Sequence, residues 1–104
     1  MEILRREKSW IHTHFLTDCE YLPPPEERRL RREMDRVLQQ NRIVFGIHFA
    51  SFPEERGLRI VLECQPLPDT LERIEKALVE LVKDIPNRPR HTDVVIDPPR
   101  RRRG

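Results

Sequence analysis

Glycine, cysteine and aromatic residues are scarce in this chain of 104 residues, and the first two shortages each exclude a class of function. Three glycines and two cysteines are present, with one tryptophan and one tyrosine. The glycines are too few for a P-loop or a dinucleotide-binding fingerprint. Cys19 and Cys64 are too few for a disulfide framework, and their spacing matches no zinc ribbon. We therefore expect a reducing, cytoplasmic environment.

The chain also lacks a long apolar run and a large excess of charge. Its longest uncharged stretch, residues 43–53, is far shorter than the ~20 apolar residues that span a bilayer. Twenty basic and 18 acidic residues give a net charge of +2, well below that of a dedicated nucleic-acid binder. No serine lies in a G-x-S-x-G motif, and no H-E-x-x-H is present. We expect a single soluble domain that does not contact a membrane, and these absences disfavour an enzyme without deciding the point.

Hydrophobic periodicity predicts the order β-α-β-β-α-β. Alternating residues predict strands at 9–21, 42–52, 58–65 and 91–97, and helical spacing predicts a first helix over 25–40. An apolar stripe from Leu71 to Ile85 predicts a second helix, with Asp69 and Glu72 forming a capping box at its start. Gly57 closes the loop between the second and third strands, where we expect a positive φ.

This order predicts an α+β fold of the ferredoxin-like type, a two-layer βαββαβ sandwich. Right-handed crossovers place two helices on one face of a four-stranded antiparallel sheet with the strand order 4-1-3-2. The predicted domain covers residues 9–98. A charged segment, residues 1–8, precedes it, and a basic tail, residues 99–104, follows it.

The opposite face of the predicted sheet, which we call the open face, collects all four histidines. Side chains alternate between the two faces of a strand, so apolar residues share this face with the histidines. Such a mixed surface indicates an interaction site. We predict a homodimer that packs through this face, and a further protein partner is compatible with it. The predicted interface residues are Trp10, Leu16, Val61 and Val95.

Histidines and carboxylates on one face are also candidate ligands for Zn²⁺ or another divalent transition metal. His12 and His14 lie two positions apart on one strand, and the neighbouring last strand brings His91 or Asp93 near them. We expect His48, on an edge strand, to be far from His12 within one protomer and to join a site only across a dimer interface. The alternative is a purely structural dimer subunit, in which these are ordinary polar residues of a packing face.

A basic cluster at the C-terminus supports a different hypothesis, a nucleic-acid-binding module. Such a module would use the arginine run together with Trp10 as a stacking residue on the sheet. The third strand offers Arg59, Val61 and Glu63 where an RNA-recognition domain has aromatic residues. Nucleic acid is therefore the less favoured partner. The basic residues concerned are Arg100, Arg101, Arg102 and Arg103.

Residues 22–98 resemble the cytoplasmic C-terminal domain of cation diffusion facilitator transporters. The similar stretches are the proline-led LPPPEERRLRREMDRVL, the strand VFGIHF, the segment RIVLECQPLPDTLERIEKALVELV and the last strand DVVIDPP. The resemblance implies a dimeric regulatory domain that binds zinc or a related cation. Only His48 matches as a ligand, and the chain adds a strand with His12 and His14 that the family's domain lacks.

Overall fold

Two helices pack on one face of a four-stranded antiparallel sheet in the computed structural model, which describes residues 1–88. The sheet order is β1-β2-β4-β3. The predicted α+β class is confirmed, but the predicted strand order 4-1-3-2 is wrong. The predicted strand over 91–97 and the tail from residue 99 lie outside the described residues. The elements are β1 Ile3–Ser9, β2 His12–Thr17, α1 Pro24–Gln40, β3 Ile47–Ala50, β4 Arg59–Leu62 and α2 Pro68–Val82.

The N-terminal residues explain the difference in strand order. The single strand predicted over 9–21 is instead a hairpin, because the chain reverses at Trp10 and Ile11 and Ser9 pairs with His12. Trp10 has a φ of 59°, which a strand cannot accommodate. β1, formed from the segment predicted to precede the domain, pairs with β2 in the position that the prediction gave to the C-terminal strand.

The helices begin at proline residues. α1 begins at Pro24 and α2 at Pro68, each with proline in the first turn, where the missing N–H breaks no helical hydrogen bond. The predicted capping box of α2 is wrong: Leu67 is the N-cap, no side chain caps the helix, and Asp69 lies in the first turn. Its carboxylate there still complements the positive end of the helix dipole.

The core lies between the helices and the inward face of the sheet. Phe15, Ile47 and Ile60 point into it from β2, β3 and β4, as the alternation predicts. Ile11 was expected in this set, but it lies in the hairpin turn with 59% of its surface exposed. The inward position next to it on β2 belongs to Thr13, whose hydroxyl donates to the carbonyl of Cys64 at 2.8 Å. The helices contribute Leu30, Met34, Leu38, Leu71, Ile74, Leu78 and Val82.

The loop between β3 and β4 packs against the end of β2. Gly57 does not have the predicted positive φ. It is required for another reason, since a Cβ at this position would lie 1.7 Å from the carbonyl oxygen of Thr17. Leu58, the next residue, donates its N–H to the carbonyl of Cys19 at 2.9 Å. The close approach of two backbones thus fixes where β4 begins.

Candidate functional site

Three histidine rings lie together on the open face of the sheet. The ring centroids of His12 and His14 are 6.3 Å apart, and those of His12 and His48 are 6.1 Å apart. The expectation that His48 lies far from His12 within one protomer is therefore wrong. Val61 on β4 is opposite both His14 and His48, so a single strand separates the histidines and their rings reach across it.

A carboxylate orients the imidazole of His48. The Nδ1 atom of His48 lies 3.0 Å from the Oε2 atom of Glu63. An ionised carboxylate only accepts hydrogen bonds, so Nδ1 carries the proton and donates it. In the neutral ring this leaves the lone pair of Nε2 free. Metal-binding histidines commonly have this arrangement, in which a carboxylate fixes the tautomer and the orientation of the ring.

His14 has the opposite tautomer. Its Nδ1 lies 3.1 Å from Nη1 of Arg59, and because a guanidinium only donates, Nδ1 accepts and the proton of the neutral ring is on Nε2. Burial and the charge of Arg59 lower the pKa of His14. Arg59 is held in turn by Glu55, with Nε 3.0 Å from Oε1, and by Glu7, with Nη1 3.4 Å from Oε1. In this network the Nδ1 lone pair of His14 is occupied.

The spacing of His12 and His48 suits a shared metal ion. In a tetrahedral site with Zn–N bonds of about 2.0–2.1 Å, two imidazole centroids lie about 5 Å apart. The observed 6.1 Å is longer than this, so the two rings must move closer together before they can share an ion. Within residues 1–88, however, no three histidine, cysteine or acidic side chains are arranged to hold a metal ion. The described part of the chain therefore supplies two imidazole donors and an orienting carboxylate.

The other predicted site residues divide into two groups. Trp10 is 86% exposed in the hairpin turn, so its expected position on a central strand of the sheet face is wrong. Leu16 and Val61 are on the open face as expected, but they are 9% and 2% exposed within one protomer. Their role in a dimer interface stays a prediction. The remaining predicted residues lie outside the described residues: His91, Asp93, Val95, Arg100, Arg101, Arg102 and Arg103.

One contributor to the open face was not found from the sequence. Glu7 reaches this face because β1 is a strand in register with β2, where Glu7 is opposite His14. The alternate positions of Arg5, Glu7 and Ser9 could have indicated a strand here. Because charged residues occupy both faces of this segment, however, it has no contrast between an apolar and a polar side. The missed strand thus supplies one of the two carboxylates that hold Arg59.

Comparisons with known proteins give no relative on which to base an identity. No protein-family model matches the chain, and no curated protein or solved structure is detectably similar to it. Among residues 1–88, no helix has the length and apolar character needed to cross a membrane. The function must therefore be argued from the open face itself.

Proposed function

We propose that this chain is a small non-catalytic binding or regulatory module of ferredoxin-like type that takes a divalent transition metal, with Zn²⁺ as the first candidate, on its open face. The observation that carries the proposal is the pair of imidazoles of His12 and His48, 6.1 Å apart, one of them oriented by Glu63. Imidazole is a preferred ligand of zinc and of neighbouring transition metals.

Within the cluster, the tautomers favour His12 and His48 as the ligand pair over His12 and His14. The Nε2 lone pair of His48 is free, whereas the Nδ1 lone pair of His14 accepts from Arg59. His14 can bind a metal only after the ring turns or Arg59 leaves, at the cost of a charge-assisted network. His14 is thus a secondary ligand, and solvent or donors from outside residues 1–88 complete the coordination shell.

The same proposal includes a homodimer and a cytoplasmic location. The resemblance to the C-terminal domain of cation diffusion facilitator transporters implies a metal-responsive dimer with His48 as ligand, which agrees with the pair that the geometry favours. A metal ion bound by two strands of one sheet would stiffen the open face. A partner protein could then bind differently to the metal-loaded and the metal-free forms. Because ligand imidazoles must be deprotonated, occupancy would fall in acid.

Two alternatives make different predictions. A nucleic-acid-binding module would lose affinity steeply as salt rises, because bound phosphates release counterions. This alternative is weakened by Trp10, which lies in the turn rather than on the sheet face. A purely structural dimer subunit would keep its dimer and its partners when His12 and His48 are both replaced by asparagine.

Zinc affinity measured by calorimetry on the full chain, supported by native mass spectrometry, tests the proposal. We expect one bound ion per protomer in the wild type. His12→Asn and His48→Asn should each weaken binding by at least tenfold. Glu63→Gln should weaken it by about 10-fold, because Glu63 orients the His48 ring without binding the metal itself. His14→Asn is the matched control and should weaken zinc binding less than any of these three changes. If all four variants bound Zn²⁺ as tightly as the wild type, or if the wild type bound no Zn²⁺, the metal would be removed from the proposal.

A further inference from the structure

The two edges of the sheet formed by residues 1–88 differ sharply in protection. β1 carries the charged run from Arg5 to Lys8, and its pairing with β2 is interrupted by an irregularity between Ile3 and Arg5. Charges and bulges of this kind prevent an edge strand from pairing with another chain. β3 has neither, since residues 43–52 contain no lysine, arginine, aspartate, glutamate or proline and the register of β3 with β4 is regular. Its protective feature is its length of 4 residues.

The outer edge of β3 also presents free backbone groups in a regular pattern. Glu63 donates its N–H to the carbonyl of Gly46 at 3.0 Å, and the register pairs His48 with Val61. Hydrogen-bonded positions alternate along an antiparallel pair, so Gly46, His48 and Ala50 face β4. The N–H and C=O groups of Ile47 and Phe49 therefore point outward. The same alternation, continued one residue beyond each hydrogen-bonded end, would direct those of residues 45 and 51 outward as well.

Apolar side chains extend along this edge well beyond the four residues that pair with β4. Val44 is 92% exposed, Phe45 is 54% exposed and Phe52 is 38% exposed. The guanidinium of Arg59 lies 5.4 Å from the ring centroid of Phe52, which places that ring on the open face. Val44 and Phe52 each lie four residues from His48, just outside the strand bounds Ile47–Ala50. Continuing the alternation of β3 to both positions would put Val44 on the same face as Phe52.

We propose that β3 is a homodimer interface, at which the edges of two copies pair antiparallel about a two-fold axis near His48. This axis places Val44 opposite Phe52 of the second copy, so that an apolar pair closes each end of the contact, and cross-strand pairs of this type stabilise sheets. The outward backbone groups of residues 45, 47, 49 and 51 bond to the same groups of the second copy. The product is a continuous eight-stranded sheet.

The second copy contributes directly to the histidine cluster. With the axis near His48, the His48 side chains of the two copies are neighbours on the open face, because residues that are directly opposite have Cβ atoms about 4.5–5.5 Å apart. The open face itself remains uncovered, so this interface would replace the one predicted from the sequence through Leu16 and Val61. The inference rests on the homodimer part of the proposed function and names its surface, but it does not require a bound metal.

The test is the dimer dissociation constant of the full chain, measured by analytical ultracentrifugation in the presence of a chelator. Val44→Lys places a charge opposite Phe52 of the second copy, and Ser51→Pro removes an outward N–H. Each should raise the dissociation constant at least tenfold with unchanged circular dichroism. Leu4→Lys is the matched control, because Leu4 is 57% exposed on the protected β1 edge, and it should leave the constant within twofold.

Two results would overturn the inference, and they can be told apart. A wild-type monomer at millimolar concentration would reject the dimer altogether, while a dimer unaffected by Val44→Lys and Ser51→Pro would reject only the β3 edge.

Hydrogen exchange at Ile47 and Phe49 gives a second measurement on the unmodified chain. Their amides should exchange more slowly as the protein concentration rises, and protection independent of concentration would mean that something other than a second copy covers the edge.

Discussion

Gly57→Ala should destabilise the protein far more than a single methyl group suggests. The new Cβ would lie 1.7 Å from the carbonyl oxygen of Thr17 and 2.8 Å from its carbonyl carbon, both of them backbone atoms that no side-chain rotation can clear. The chain at residues 57–58 must therefore move away from the end of β2. Gly57 lies in a loop, where the change to alanine would otherwise be neutral or stabilising.

The magnitude follows from the contacts that this movement breaks. The carbonyl of Leu58 accepts the N–H of Thr17 at 3.1 Å and the hydroxyl of Thr17 at 2.8 Å, and the N–H of Leu58 donates to Cys19 at 2.9 Å. At about 1 kcal/mol net for each bond, the loss is about 3 kcal/mol. A domain of this size is stable by about 5–15 kcal/mol, so the variant should remain folded at low temperature.

Urea denaturation followed by circular dichroism measures this change in the free energy of unfolding. Each kcal/mol lowers the melting temperature of a domain of about 100 residues by about 4–8 °C, so the expected fall is roughly 12–24 °C. Gly46→Ala is the matched control, because its Cβ would meet only Glu63 Oε1 at 3.9 Å. A loss below 0.5 kcal/mol for Gly57→Ala, on the order of an ordinary surface substitution, would refute the close-approach argument.

Three further predictions concern strain, titration and thiol reactivity. Trp10→Gly should raise the free energy of unfolding by about 1 kcal/mol, because glycine relieves the positive φ of a residue that buries little surface; a loss of stability in urea denaturation would contradict this. In an NMR titration His14 should protonate only below its ordinary pKa, since burial and the charge of Arg59 lower the pKa of this ring. In the unfolded chain His14 binds the proton more readily. Its contribution to the free energy of unfolding is therefore complete above about pH 6.5 and is lost as the pH falls from there towards the lowered folded pKa. Arg59→Gln should move the pKa of His14 back upward. Burial raises the pKa of both thiols, and Cys19 has no exposed surface while Cys64 is half-buried, so a disulfide reagent should modify one thiol in the native protein and the second only after unfolding.

The sequence predicted the helices and the inward faces of the sheet because both depend on periodic apolar residues. Leu30, Met34 and Leu38 recur at helical spacing and are buried, and Phe15 and Ile60 alternate as expected. These patterns come from burial against one face. They are visible in a single sequence because each extends over several turns or several alternations.

What the sequence did not show depends on single backbone angles and on side chains that meet across strands. The turn at Trp10 has no glycine, asparagine or proline to mark it, so β1 and β2 read as a charged segment followed by one strand. The proximity of His12 and His48 depends on the reach of two rings over β4, which the strand order alone does not give. The tautomers of His14 and His48 depend on Arg59 and Glu63 as specific neighbours.

Nitrogen-15 NMR of the histidine rings, recorded before and after addition of one equivalent of Zn²⁺, tests the central claim most directly. Metal coordination changes the chemical shift of the bound ring nitrogen and fixes the tautomer. We predict a changed chemical shift for Nε2 of His48 and for one ring nitrogen of His12. Nδ1 of His14 should still accept a hydrogen bond from Arg59. Unchanged resonances in all three rings, or a shift confined to His14, would contradict the account.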